Sequence, residues 1–251
     1  MANINFVQSN TLFKFTATRC LRNEYYHNDC RICLELCPKG ALGIVRNKLT
    51  LFGEECINCA GCVGSCPTEA LELESFDPNA YVATYKEQKD PLISCKINTP
   101  CLGTFDSEHY ISMALRSERN VLCDMRHCGE CSLNETGTLE HVIREKIDQS
   151  NHFLASIGLV HKVEAQEEKD EQASRRVLFR KGFEKAKEHL TNANAPISLS
   201  MTQAHHNIAD MRMPLKRVML KHSLKEIVGD LATTTFSESS SLFFNKQIDF
   251  Q

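Results

Sequence analysis

Apolar positions between residues 92 and 163 alternate between short unbroken runs and helical spacing. Residues 92–94 form a short run that ends at Cys95. Tyr110, Ile111, Ala114 and Leu115 then fall on one face of a helix that Ser107 can cap and that reaches Ser117. A second run, Val121-Leu122, ends at Cys123. Thr138 can cap a longer helix with Leu139, Val142, Ile143, Ile147, Ser150, Leu154 and Ile157 at helical spacing. Gly158 stands where a helix C-terminus needs a positive φ, and residues 159–163 read as a third strand. The order β-α-β-α-β predicts a small α/β unit with a parallel sheet and right-handed crossovers.

From residue 164 the pattern turns polar. Residues 164–190 are predicted helical, with acidic residues first and basic residues last, as the helix dipole favours. Phe179, Phe183, Ala186 and Leu190 make one narrow apolar stripe, for packing on its own domain or against a partner. Pro214 can open a helix containing Leu215, Val218 and Met219. Ser223-Leu224-Lys225-Glu226 is a capping box that begins another helical turn. Arg212, Lys216, Arg217, Lys221 and Lys225 make this stretch locally basic, a solvated face or a docking patch for an acidic partner. Residues 233–241 are rich in Thr and Ser and read as a flexible linker, with a short terminal strand after them.

No run approaches the roughly 18 consecutive apolar residues of a membrane span. Residues 1–18 also lack the basic-then-apolar pattern of a secretory signal, so a cytoplasmic protein is expected. The 251 residues carry 29 Lys and Arg against 32 Asp and Glu, a net charge of −3, which argues against nucleic acid as a partner. The composition changes the picture at one residue type. There are 13 cysteines, all between Cys20 and Cys131. An odd number of cysteines in a chain long enough for its own core argues for metal ligands over a disulfide framework.

Their spacing carries the chemistry. Cys56-x2-Cys59-x2-Cys62-x3-Cys66-Pro67 is the bacterial run that wraps a [4Fe–4S] cluster. Gly61 and Gly64 are expected to allow its tight turns. A second copy precedes it: Cys30, Cys33 and Cys37-Pro38 stand 29 residues before Cys59, Cys62 and Cys66-Pro67. Over roughly residues 15–80 the chain resembles the dicluster 2[4Fe–4S] bacterial-type ferredoxins. The position 29 residues before Cys56 is His27, so either His27 or Cys20 completes the first set. Thiolate is the commoner ligand, and Cys20 is the expectation.

The resemblance implies an α+β ferredoxin-like dicluster domain in which each cluster takes its fourth ligand from the other run. One cluster would use Cys20, Cys30, Cys33 and Cys66, the other Cys56, Cys59, Cys62 and Cys37. Residues 42–45, 49–52 and 71–73 would be short strands. Ile32, Leu34, Leu36, Ile57 and Val63 would shield the clusters, because exposure helps set the potential. The expected organisation is a dicluster domain over 1–84, a cysteine-containing α/β domain over 88–163, a charged helical region over 164–232 and a linker with terminal strand over 233–251. Residues 245–250 echo 47–52, the segment before the second run, so a further ferredoxin module is the alternative to a terminal strand.

The five later cysteines fall at strand ends, the edge where α/β sheets bind ligands. Cys95, Cys101, Cys128 and Cys131 are candidates for a third site holding an iron–sulfur cluster or zinc. Cys123 is the weaker candidate, since free cysteine often serves as a small buried hydrophobe. Phosphate loops, zinc-protease motifs and dinucleotide fingerprints are absent from the sequence. The chain therefore reads as a non-catalytic electron-transfer protein or subunit serving an oxidoreductase of the formate dehydrogenase or hydrogenase type, an analogy with the wider dicluster family. A redox or iron sensor, a maturation factor and an enzyme subunit with a third metal site are the alternatives.

Overall fold

The computed structural model describes residues 13–25, 27–167 and 213–229. In the N-terminal part the regular elements are very short: β1 (Phe13–Phe15), α1 (Leu21–Glu24), α2 (Ile32–Glu35), β2 (Leu42–Val45), β3 (Lys48–Leu51), α3 (Gly61–Ser65) and β4 (Leu71–Leu73). β2 and β3 form a hairpin whose two turn residues, Arg46 and Asn47, both have positive φ, as a tight two-residue hairpin requires. β1 pairs antiparallel with β4, Phe13 opposite Leu73. Strands were expected at 42–45, 49–52 and 71–73; β3 lies one residue earlier, and β1 was not anticipated. A short helix, α4 (Pro78–Thr84), follows, with the Asp77 carboxylate accepting from the Asn79 amide at its start.

Three parallel strands come next, β5 (Leu92–Ile93), β6 (Val121–Asp124) and β7 (Val163–Gln166), in the order β5-β6-β7. Between them run α5 (Ser107–Ser117) and α6 (Thr138–Ser156), which is the alternation expected. The third strand starts at Val163, not at residue 159. Gly158, with φ of +74°, ends α6 in a closing turn: its amide donates to Ala155 and the Leu159 amide to Leu154. That turn consumes Leu159, and Val160 is left exposed before the chain reaches the sheet. Glu164 accordingly lies in a strand instead of a helix. Residues 168–212 of the charged region, and residues 230–251, lie outside the described residues.

The caps differ from expectation too. Asp106, not Ser107, caps α5, with His109 completing the box; Ser107 is buried and its hydroxyl donates to Gln149. Gly137 precedes α6, and the Asn134 side chain takes the Glu140 amide at 3.0 Å. α5 is buried nearly all round, polar Glu108, His109 and Ser112 included, because α4, α6 and a further helix surround it. That helix, α7 (Leu215–Val228), is continuous. Ser223 does not cap a new turn in it; its hydroxyl donates back to Met219. Its inward face is Lys216, Leu220, Ser223 and Leu224, while Leu215 and Val218 are exposed.

Candidate metal centre

Four thiols line each of two hollows in the N-terminal part. Cys20, Cys30, Cys33 and Cys66 surround the first, of about 380 Å³ and partly open to solvent. Cys37, Cys56, Cys59 and Cys62 surround the second, of about 410 Å³. One thiol of each four comes from the other run: Cys66 lines the first hollow and Cys37 the second. His27 is exposed and does not line the first hollow.

The local backbone aims amides at sulfur in a symmetric way. The Ala41 amide donates to Cys37 Sγ at 3.2 Å and the Ala70 amide to Cys66 Sγ at 3.3 Å, two bonds related by the same 29-residue offset. Burial raises the thiol pKa values of Cys20, Cys33, Cys59 and Cys62, and neighbouring cysteines push the same way. Cys33 reaches about 12, with Cys66, Cys30 and Cys20 beside it. Cys62, in the second hollow, is affected by Cys59, Cys33, Cys37 and Cys56. Four crowded thiols resist deprotonation on their own. A cationic iron–sulfur core reverses that balance, since thiolate is its ligand and binding releases the protons. The donor set fits such a core.

The glycines of the second run do not make turns. Positive φ falls on Asn58 and Ala60, while Gly61 and Gly64 lie within α3. Their role is close approach. A methyl on Gly64 would sit 2.5–2.7 Å from the carbonyl oxygens of Gly103, Thr104 and Phe105, and one on Gly61 would sit 2.8 Å from Leu139 Cδ1. α3 is thus pressed against the loop before α5.

Residues 28–71 match the family described as a 4Fe-4S dicluster domain. This segment is a dicluster ferredoxin-type domain. The chain is also similar to an uncharacterized polyferredoxin-like protein of Methanocaldococcus jannaschii, 34% identical over 64 residues, covering 26% of this chain and 38% of that one. A ferredoxin of Streptomyces griseus is 30% identical over 56 residues, 22% of this chain and 53% of its own. The chain spans about half or less of the length of these curated relatives. No solved structure matches it.

Around the dicluster domain several residues matter that the sequence did not flag. Arg22 lines the first hollow; it is buried, and its guanidinium donates to Cys30 O at 3.0 Å and Asn47 Oδ1 at 2.8 Å. Lys216, expected on a basic face, is buried. Its ammonium donates to Gly64 O at 3.1 Å, Cys66 O at 2.8 Å and Asp106 Oδ2 at 2.6 Å. Glu69 accepts from the Leu215 and Lys216 amides, and Glu108 pairs with Arg217. The helical spacing of 216, 220, 223 and 224 could have signalled the face, but a lysine at its head reads as solvent-facing. Of the expected shielding residues, Leu36 and Ile57 line the second hollow, Val63 is buried, and Leu34 packs on the adjoining core.

The later cysteines separate into two kinds. Cys123 lies inside β6, fully buried, and burial pushes its thiol up to about 12. Cys95, Cys101, Cys128 and Cys131 are half-buried in the loops after β5 and β6. Among the described residues, no three or more Cys, His, Asp or Glu side chains converge closely enough for a single metal ion, the hollows included. A four-iron cage holds its thiolates at separate corners, further apart than the ligands of one ion.

Proposed function

We propose that the protein is an iron–sulfur electron-transfer protein or subunit, exchanging single electrons with a partner oxidoreductase through two [4Fe–4S] clusters. The observation that carries this reading is the sorting of eight cysteines into two hollows of four, each set drawing one member from the other run. Cys20, Cys30, Cys33 and Cys66 would hold one cluster, and Cys37, Cys56, Cys59 and Cys62 the other. When bound, such clusters take up and release one electron each.

The chain's own residues then do four things. The eight thiolates fix the clusters, the Ala41 and Ala70 amides stabilise charge on Cys37 and Cys66 sulfur, and Leu36, Ile57 and Val63 exclude water. The buried cations Arg22 and Lys216, bonded to the carbonyls of Cys30 and Cys66, favour the more negative, reduced state of a nearby centre. Fold-level analogy makes formate dehydrogenases and hydrogenases the partner class to test first.

The test is anaerobic reconstitution followed by reduction with dithionite and reoxidation by a one-electron dye. The expected result is a chromophore that bleaches and returns reversibly, with no turnover of formate or hydrogen by the isolated protein. Protein that takes up no iron, or that turns over either substrate unaided, contradicts the proposal.

A further inference from the structure

Outside the two hollows, four half-buried cysteines share one region of the parallel-sheet half. Cys95 and Cys101 belong to the loop leaving β5; Cys128 and Cys131 belong to the loop leaving β6. The two loops are tied at their roots, where the Ser94 hydroxyl donates to Asp124 Oδ2 at 2.7 Å across the strand ends. The first loop is wound tightly, with Ser94 O accepting the amides of Ile97, Asn98 and Thr99. The second is held by Asn134, whose side-chain amide donates to Cys128 O at 3.0 Å and whose backbone amide donates to Cys131 O at 2.8 Å. The four thiols lie within electrostatic reach of one another: Cys95 is affected by Cys131, Cys101 by Cys128 and Cys95, and Cys128 by Cys95 and Cys131.

Two features bear on what this group could hold. Cys101 Sγ accepts the Gly103 amide at 3.4 Å as the cap of a short helical turn, so this sulfur, like those of Cys37 and Cys66, receives a backbone amide, though from two residues on and not four. The group also abuts the second hollow. A methyl on Gly103 would lie 3.3 Å from Gly61 Cα, between Cys59 and Cys62 in sequence, and Cys59 is the thiol that acts most strongly on Cys101. Lys146 is buried within electrostatic reach of both Cys62 and Cys101, its ammonium donating to Phe105 O at 3.0 Å. A cation sealed there suits an anionic thiolate centre on each side.

We propose that Cys95, Cys101, Cys128 and Cys131 bind a third iron–sulfur cluster directly beside the second hollow. Zinc, which needs four sulfurs converging on one point, fits this spread of thiols less well. The site stands on these four residues; only its position beside a second cluster rests on the dicluster reading above.

The test is iron, sulfide and zinc analysis of the anaerobically reconstituted full chain, with EPR after reduction. About twelve iron atoms per chain are expected, four per cluster. Cys128→Ser/Cys131→Ser and, separately, Cys95→Ser/Cys101→Ser should each hold about eight, with the dicluster signal unchanged, while Cys123→Ala holds as much as wild type. Using two separate double variants guards against a folding defect in either. Equal iron in wild type and both double variants, or loss of one zinc in place of iron, overturns the third site and leaves the dicluster reading standing. Failure of the dicluster reading shows differently, as a Cys30→Ser/Cys33→Ser variant that keeps its full iron.

Discussion

In the dicluster domain the thiols are part of the core, whereas in the parallel-sheet half they stand mostly at its edge. The first core has Cys20 and Cys66 buried beside Leu42, Leu49 and Leu71, with Cys33, Cys37, Cys56 and Cys62 packed on it. Its strands are three or four residues long, and its hollows lie where an apolar protein would place side chains. The second core is built mainly from Phe105, Tyr110, Ile111, Met113 and Leu115, all essentially inaccessible, with Cys123 and Cys59 as its buried thiols and Cys101 and Cys128 packed against it. That contrast locates where metal would be structural. One half obtains its interior by binding clusters; the other supplies an interior of its own.

Removing iron should therefore separate the halves more than any substitution. After chelation under reducing conditions, hydrogen exchange should lose protection throughout residues 13–73 while α5 and α6 keep theirs. Uniform loss across both halves would show that the second core also depends on metal.

The next largest effect lies at the joint. Lys216 is the buried cation linking Gly64, Cys66 and Asp106, and Lys216→Met leaves the Asp106 carboxylate without its main partner. A cost of about 3–5 kcal/mol in urea unfolding is expected, with α7 released first. A loss under about 1 kcal/mol, the usual worth of an exposed pair, would mean that α7 is not a clasp.

Gly64→Ala attacks the same joint sterically. Its methyl meets three carbonyl oxygens that belong to the other half. Overpacking of about 1–3 kcal/mol is expected, read as a lowered unfolding midpoint with the iron content of the wild type retained.

The smallest effect is a pH slope. His109 accepts the Asp106 amide through Nδ1, and its Nε2 faces Asn79 Oδ1. Burial, with Lys216 and then Lys146 opposing a further positive charge against the pull of Asp106, holds its pKa down at about 3. The unfolded chain takes up that proton near pH 6.5, and the folded chain does not. Stability from neutral His109 is thus complete above about 6.5 and drains away as pH falls toward about 3. Urea midpoints should drop between about pH 7.5 and 5.5 in the wild type and drop less in His109→Gln. Equal slopes would remove His109 as their source.

The legibility of the two halves differs for a physical reason. Ligand spacing in the dicluster domain is local, because one cluster is wrapped by consecutive residues, so seven of its thiols could be read from two short runs. Cys20 came only by elimination, since a lengthened loop breaks the 29-residue register. The parallel sheet was legible from periodicity, but its edges were not: the closing turn at Gly158 delayed β7, and Asp106 and Asn134 took capping roles that Ser107 and Thr138 could equally have filled. Lys216 was hidden because its burial depends on carbonyls and a carboxylate more than a hundred residues away. The glycines of the second run were noticed for the wrong property, because what they approach is contributed by the other half.

The most direct test of the central claim is EPR of the reduced full chain compared with Cys20→Ser and His27→Ala. In the wild type two interacting [4Fe–4S] centres of the dicluster domain are expected beside the signal of the third site, the same two in His27→Ala, and one of the two lost or converted in Cys20→Ser. A single isolated centre in the wild type, or loss of a centre in His27→Ala alone, would contradict that claim.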